Sequence, residues 1–158
     1  MATLNIYRGA LGAETVLATN TNLSALANNA RFLSASYNNV QGGGGGGGSI
    51  KGMLTFTCTM AVAATANTGF DIYILKSQDG GATYERGGTG YTPALTALVG
   101  TFVAPTDTTQ SPMMMIVDLP PGLFEVLIVN NGTGQALKTD TGATGSKLTL
   151  TPYTDQIV

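Results

Sequence analysis

The sequence predicts an all-β protein: an antiparallel β-sandwich, jelly-roll-like, of about eight or nine strands with little or no helix. Three observations lead there. Apolar residues recur with period two along most of the chain, Gly, Pro and Asn clusters punctuate it at short intervals, and helical periodicity is nearly missing. At 158 residues the chain fits one domain, 1–158, large enough to bury a sizeable core.

Taken in order, the first strand-like runs are Leu4 to Tyr7 and Thr15 to Ala18. Asn22 to Ala30 is the one stretch that could hold a short helix, capped by Asn22 or Ser24. Arg31 to Tyr37 returns to strand, and residues 1–40 read as a candidate extended N-terminal arm. An unbroken run, Gly42 to Gly48, follows. Its composition suits a flexible loop; because glycine loses the most freedom on ordering, something must hold it if it is fixed, most simply contact with neighbouring subunits, with an ordered loop inside the monomer as the alternative.

The clearest alternation is Leu54 to Val62: Leu54, Phe56, Cys58, Met60 and Val62 on one face, Thr55, Thr57 and Thr59 on the other. That pattern is a half-buried strand with a threonine outer face. Phe70 to Lys76 repeats it, with Phe70, Ile72 and Ile74 inward. Leu95 to Val103, Met113 to Leu119, Phe124 to Val129 and Lys147 to Thr151 complete the set. Pro120-Pro121-Gly122 and Asn130-Asn131-Gly132 supply turns between them.

Composition narrows the chemistry. Charged residues make up 10% of the chain, 7 Lys+Arg against 9 Asp+Glu, where an average domain carries about 25%. So sparse a set cannot build the basic stripe that nucleic-acid binding requires, and no nucleic-acid partner is expected. With no His and one Cys, neither a Cys/His zinc site nor a His-dependent nucleophile can be assembled in one chain. Cys58 lies in phase with large apolar residues and reads as a buried, inert thiol. Paired carboxylates remain formally available, but Glu14, Asp71, Asp79, Glu85, Asp107, Asp118, Glu125, Asp140 and Asp155 are scattered. Asp140-Thr141-Gly142 is the best calcium-like stretch, yet calcium loops concentrate several acids at fixed offsets. Gly87 to Gly90 has neither the lysine nor the following helix of a phosphate loop. No enzyme activity, cofactor or metal is expected. The first residues lack a basic region followed by a continuous apolar stretch, and no window approaches the roughly 20 apolar residues of a membrane helix. Synthesis in the cytoplasm without a membrane partner is the expectation.

Ser77-Gln78-Asp79-Gly80-Gly81-Ala82-Thr83-Tyr84 matches S-x-D-x-G-x-T-[W/Y], the Asp-box of sialidases and other propellers. One copy is no propeller, so the expected role is a structural turn: Asp79 accepting backbone amides, Gly80 and Gly81 at positive φ, Ser77 and Thr83 flanking, Tyr84 packing back over the hairpin. Met113-Met114-Met115 is apolar on both strand faces, as a strand buried twice over or a subunit contact would be. Leu4, Ile6 and Tyr7, with Ile157 and Val158, are apolar chain-end residues that need a docking surface. With Gly42 and Gly48 they form the expected interface set.

The segments Ile72 to Tyr84 and Leu119-Pro120-Pro121-Gly122-Leu123-Phe124-Glu125-Val126 together resemble strand-turn signatures of tailed-bacteriophage virion proteins. The resemblance spans residues 72–134. It implies a non-enzymatic capsid decoration (cement) protein, or a related tail or fibre component. Its partners would be the major capsid protein or other virion proteins and its own copies, as a homo-oligomer, and its location the virion after synthesis in the host cytoplasm. The alternative is a receptor- or carbohydrate-binding sandwich of a tail, fibre or cell surface, using Tyr84 and Tyr91.

Overall fold

Alternation becomes geometry in β5 (Lys51–Cys58), where Gly52, Leu54, Phe56 and Cys58 are buried and Lys51, Met53, Thr55 and Thr57 are half-exposed. The computed structural model describes residues 6–39, 49, 51–85, 93–140 and 142–157, with backbone alone at 6–10 and 154–157. One sheet contains β1 (Ile6–Leu11), β2 (Thr15–Ala18), β5, β8 (Ser111–Asp118) and β10 (Lys147–Ile157). Its order is β1-β10-β5-β8, with β2 also paired to β10. The second sheet contains β3 (Arg31–Leu33), β4 (Tyr37–Asn39), β6 (Gly69–Lys76), β7 (Leu98–Val103) and β9 (Gly122–Asn131). Its order is β3-β9-β6-β7, with β4 also paired to β9.

These pairings nest. β6 pairs with β7, β5 with β8, β3 and β4 with β9, and β1 and β2 with β10, all antiparallel. The chain is thus one long antiparallel hairpin that turns between β6 and β7 and is then wound up. The β5–β10 and β6–β9 ladders close it into two sheets. This is the jelly-roll arrangement of a β-sandwich, and it carries almost no helix.

Local departures from the alternation have side-chain causes. The Arg31 to Tyr37 run divides into β3 and β4 at Ser34, whose hydroxyl accepts the Val126 amide at 2.9 Å in place of a backbone carbonyl. The 54–62 run leaves the ladder after Cys58, because Thr59 turns to residues far along the chain: its amide donates to Ser146 Oγ at 3.0 Å and its hydroxyl to the Thr144 carbonyl at 2.7 Å. Among the described residues α-helix is confined to one turn, α1 (Asn20–Leu23), capped by Thr19 and not by Asn22 or Ser24. Positive φ at Ala25 and Asn29, +56° and +62°, prevents its extension to Ala30. Leu95–Ala97 forms a tight 3-10 turn leading into β7.

The two inner faces meet at aromatic rings. Phe56 of β5 stands edge-on to Phe70 of β6, with centroids 5.0 Å apart and planes at 72°, and lies 5.8 Å from Phe102 of β7. Leu54, Leu148 and Leu150 pack from the first sheet against Ile72, Ile74, Phe124, Val126 and Ile128 of the second. Offset and edge-on rings add to the gain from burial alone. A buried amide closes one end: Asn130 donates to the carbonyls of Leu26 at 3.1 Å and Gln135 at 2.9 Å, and accepts from the Thr133 hydroxyl at 2.5 Å. Its polar atoms are thereby satisfied, as burial demands.

Truncating the ring that bridges both sheets should be costly. Phe56→Ala is expected to lower unfolding free energy by about 3–5 kcal/mol in urea titrations. Cys58 supplies a second check, since burial pushes its thiol from 9.0 up to about 12. A folded pKa above the unfolded one means stabilisation that is complete below pH 9.0 and lost as pH climbs towards 12. Thermal melts should fall over that window, and a Cys58→Ala variant should show a smaller fall. At neutral pH a thiol reagent should label the wild type only through unfolding.

Candidate interaction surface

The outer faces of the two sheets differ. On the β3-β9-β6-β7 sheet, Tyr73, Leu75, Ala97 and Leu127 form a second apolar cluster, with Leu33, Tyr84, Leu98 and Val129 packed against it. Leu75 is 1% exposed and Leu127 fully buried, although both point away from the main core. The chain covers this face itself, using the Leu95–Ala97 turn and the segment returning through Tyr84.

The Ser77–Tyr84 turn makes that cover rigid. Asp79 accepts the Thr83 amide at 2.7 Å and the Thr83 hydroxyl at 2.5 Å. Ser77 Oγ donates to Asp79 at 3.0 Å and accepts the Gly81 amide at 2.7 Å. These bonds hold the Asp79 carboxyl at about 2, below its usual 3.8, with Thr83 the main cause. Gly80 and Gly81 take φ of +73° and +101°, and a Cβ on Gly81 would lie 2.9 Å from Leu123. Only glycine suits that place. The base is fixed by the Ser77 amide on the Leu123 carbonyl and the Glu85 amide on the Lys76 carbonyl, at 2.9 and 2.8 Å. Tyr84 then reaches across to donate its hydroxyl to Ser36 Oγ at 2.7 Å.

The β1-β10-β5-β8 sheet has an outer face of another kind. Register places Val16, Thr149, Thr55 and Met114 in one row and Thr151, Met53 and Ile116 in the next. Leu11, Tyr153, Lys51 and Asp118 make a third row, and Lys147, Thr57 and Pro112 a fourth. Leu11, Val16, Met114 and Ile116, on the edge strands β1, β2 and β8, are 65%, 51%, 67% and 62% exposed, whereas Thr149 and Thr151 of the central β10 are buried. On the other sheet Val103 of the edge strand β7 is likewise bare, so the difference lies in the apolar cluster that sheet buries at its centre. Charge is confined to the outer rows: Lys51 pairs with Asp118 at 3.6 Å, and Lys147 stands at the far end. Between the exposed apolar side chains of the edge strands lie Thr149 and Thr151, both buried, with Thr55 and Met53 half-exposed.

Of the expected interface set, Met114 lies on this face, whereas Met113 and Met115 point inward and pack against the core. The backbones of Ile6 and Tyr7 pair with those of Ile157 and Gln156 in the β1–β10 ladder. Leu4, Gly42, Gly48 and Val158 lie outside the described residues. Sequence reasoning missed Leu11, Val16, Met53 and Ile116. The signal for Met53 and Ile116 was available, since each continues the outward phase of its strand.

Other chemistry finds little to work with. Asp71 and Glu125 share the outer face of the second sheet, but Asp71 stands opposite Val129. That offset of four residues is roughly 13 Å, beyond the spacing of a glycosidase pair. Asp71 is also engaged by Thr101 and Asn131, each at 2.6 Å. Asp140 accepts from the Thr144 hydroxyl and the Gly142 amide and lies 3.5 Å from Lys138, which together hold it below the usual carboxylate range. Among the described residues no cluster of three or more metal-ligating side chains occurs. A cavity of about 330 Å³ opens between Ile74, Lys76, Ala97, Val99, Asp118 and Leu119, with one cation and one carboxylate at its rim.

Fold and surface define a jelly-roll sandwich in which one sheet buries an apolar cluster on its outer face and the other leaves apolar side chains of its edge strands exposed. No protein-family model matches the chain, and no curated protein shows significant similarity to it.

The depressed Asp79 carboxyl sets a pH test. Stabilisation from a lowered pKa is present above 3.8 and disappears as pH falls towards about 2. Asp79→Asn should melt below wild type at pH 5, with the gap closing on acidification to about 2. A constant gap would show that the carboxylate's charge is not what holds the turn.

Proposed function

We propose that this chain is a non-enzymatic structural protein of a bacteriophage particle, a capsid decoration protein that binds the assembled shell. The observation carrying this reading is the open outer face of the β1-β10-β5-β8 sheet. Exposed apolar side chains interleaved with threonines, with charge towards the strand ends, suit a protein–protein contact, and exposed apolar surface on a folded domain calls for a partner. The resemblance of residues 72–134 to tailed-phage virion signatures supplies the partner: the major capsid protein or a neighbouring virion protein.

The physical role follows from such a surface. Burying Val16, Met53, Met114 and Ile116 against the shell releases water from apolar area at about 25 cal/mol per Å². The few charges contribute little steering, so binding should be nearly indifferent to salt. A rigid sandwich spread across neighbouring shell subunits resists their separation. Tyr84, the aromatic on which a glycan-binding alternative rests, already spends its hydroxyl on Ser36 and packs into the second cluster. Tyr91 lies outside the described residues.

Purified particles should contain the chain at a copy number comparable to that of the shell protein. A doubly substituted chain, Val16→Lys with Met53→Lys, should fold and yet be missing from them. A copy number matching tail components would move the protein to the tail. Particles lacking the wild-type chain, or retaining the substituted one, would overturn the reading.

A further inference from the structure

The four sheet edges are not equally protected. The β1/β2 edge is interrupted between Leu11 and Thr15 and shifts register on both sides. β3 and β4 are three residues each, and β7 slips register opposite Ile72 and Tyr73. β8 alone runs unbroken, with eight consecutive partners from Ser111↔Cys58 to Asp118↔Lys51. Bulges, interruptions, prolines and charges are how native sheets blunt their edges; β8 carries Pro112 and Asp118 towards its ends and none of these devices between Met113 and Val117.

Which backbone groups β8 leaves unpaired can be worked out. Gly12 donates to the Pro152 carbonyl at 2.7 Å, so Pro152 faces β1 and turns away from its β5 partner, Gly52. Groups alternate sides along an antiparallel strand. Gly52 therefore faces β8 and bonds Val117, its partner there. By the same alternation Val117, Met115, Met113 and Ser111 bond β5, while Pro112, Met114, Ile116 and Asp118 aim their backbone groups away from the sheet. Pro112 agrees independently, because a strand proline sits where its nitrogen has no neighbour to serve.

We infer that β8 pairs antiparallel with β8 of a second copy, joining two β1-β10-β5-β8 sheets into one continuous sheet across a two-fold axis at Met115. The uncharged apolar run Met113 to Val117 is complementary to itself, which suits a second copy, and charge selects the direction. The only charge on β8 is Asp118 at its end. In the antiparallel arrangement each Asp118 lies beside the neutral Pro112 of the other copy, about 20 Å from its counterpart. Parallel pairing would bring the two carboxylates together. Met114 then exchanges both hydrogen bonds with Ile116 of the second copy, and the two open apolar faces become one surface of twice the width. The inference concerns the free protein and does not depend on binding to a particle.

Sedimentation and light scattering at micromolar concentration should report twice the 16.1 kDa chain mass. Met114→Lys combined with Ile116→Lys should halve it while leaving circular dichroism unchanged. A second variant guards against misfolding of the first. At the axis the two Met115 positions form a non-hydrogen-bonded pair about 4.5 Å apart, within disulfide range, so Met115→Cys should cross-link into a covalent dimer on mild oxidation. A monomeric wild type, an oligomer of another order, a dimer that survives the two lysines, or a dimer in which Met115→Cys does not cross-link would each overturn the inference.

Discussion

The contact of Phe56 with Phe70 and Phe102 is the interaction on which the rest of the molecule depends. Phe56 comes from the middle of one sheet, Phe70 and Phe102 from neighbouring strands of the other. No single sheet can bury these rings, so their burial commits both sheets to one packing. That commitment fixes the register of β5, β6 and β7. Through the nested pairings it also fixes which side of every other strand faces inward. Once the inner faces are used up, the outer faces and the sheet edges are what the sandwich presents to the outside.

Those outer faces are resolved differently. Beyond β6 and β9 the chain spends residues 77–85 and 95–98 to bury Tyr73, Leu75 and Leu127. The Asp79 turn exists to aim Tyr84 at that task. Beyond β5 and β10 the described residues form no second apolar cluster, and although Thr149 and Thr151 are buried, Leu11, Val16, Met114 and Ile116 stay in contact with water. With a tenth of its residues charged, the chain has little else to keep such a surface apart from other proteins. Scarcity of charge and one unsealed sheet both favour an existence among neighbours.

Much of the fold was legible because it rests on period two. Leu54 to Cys58 and Phe70 to Ile74 alternate in sequence as they alternate in space. What alternation could not disclose depends on partners distant in sequence. Ser34 breaks its strand by accepting the Val126 amide, and Thr59 leaves its strand for Ser146 and Thr144. Neither partner is visible locally. The methionine triplet marked a strand correctly, but its inward and outward phases could be assigned only once Met115 was seen opposite Leu54 and Met114 opposite Thr55. Leu11 and Val16 were harder still: they stand in separate short strands, Val16 beside the equally apolar Leu17, and register with β10 alone gathers them onto one face.

The central claim is that the two outer faces are unequal: one buries an apolar cluster at its centre, the other leaves the apolar side chains of its edge strands bare. Carbene footprinting of the free protein with residue-level mass spectrometry tests it most directly. The account predicts strong labelling at Leu11, Val16 and Met114 and essentially none at Tyr73, Leu75 and Leu127. Equal labelling of the two sets, or the reverse pattern, would contradict it.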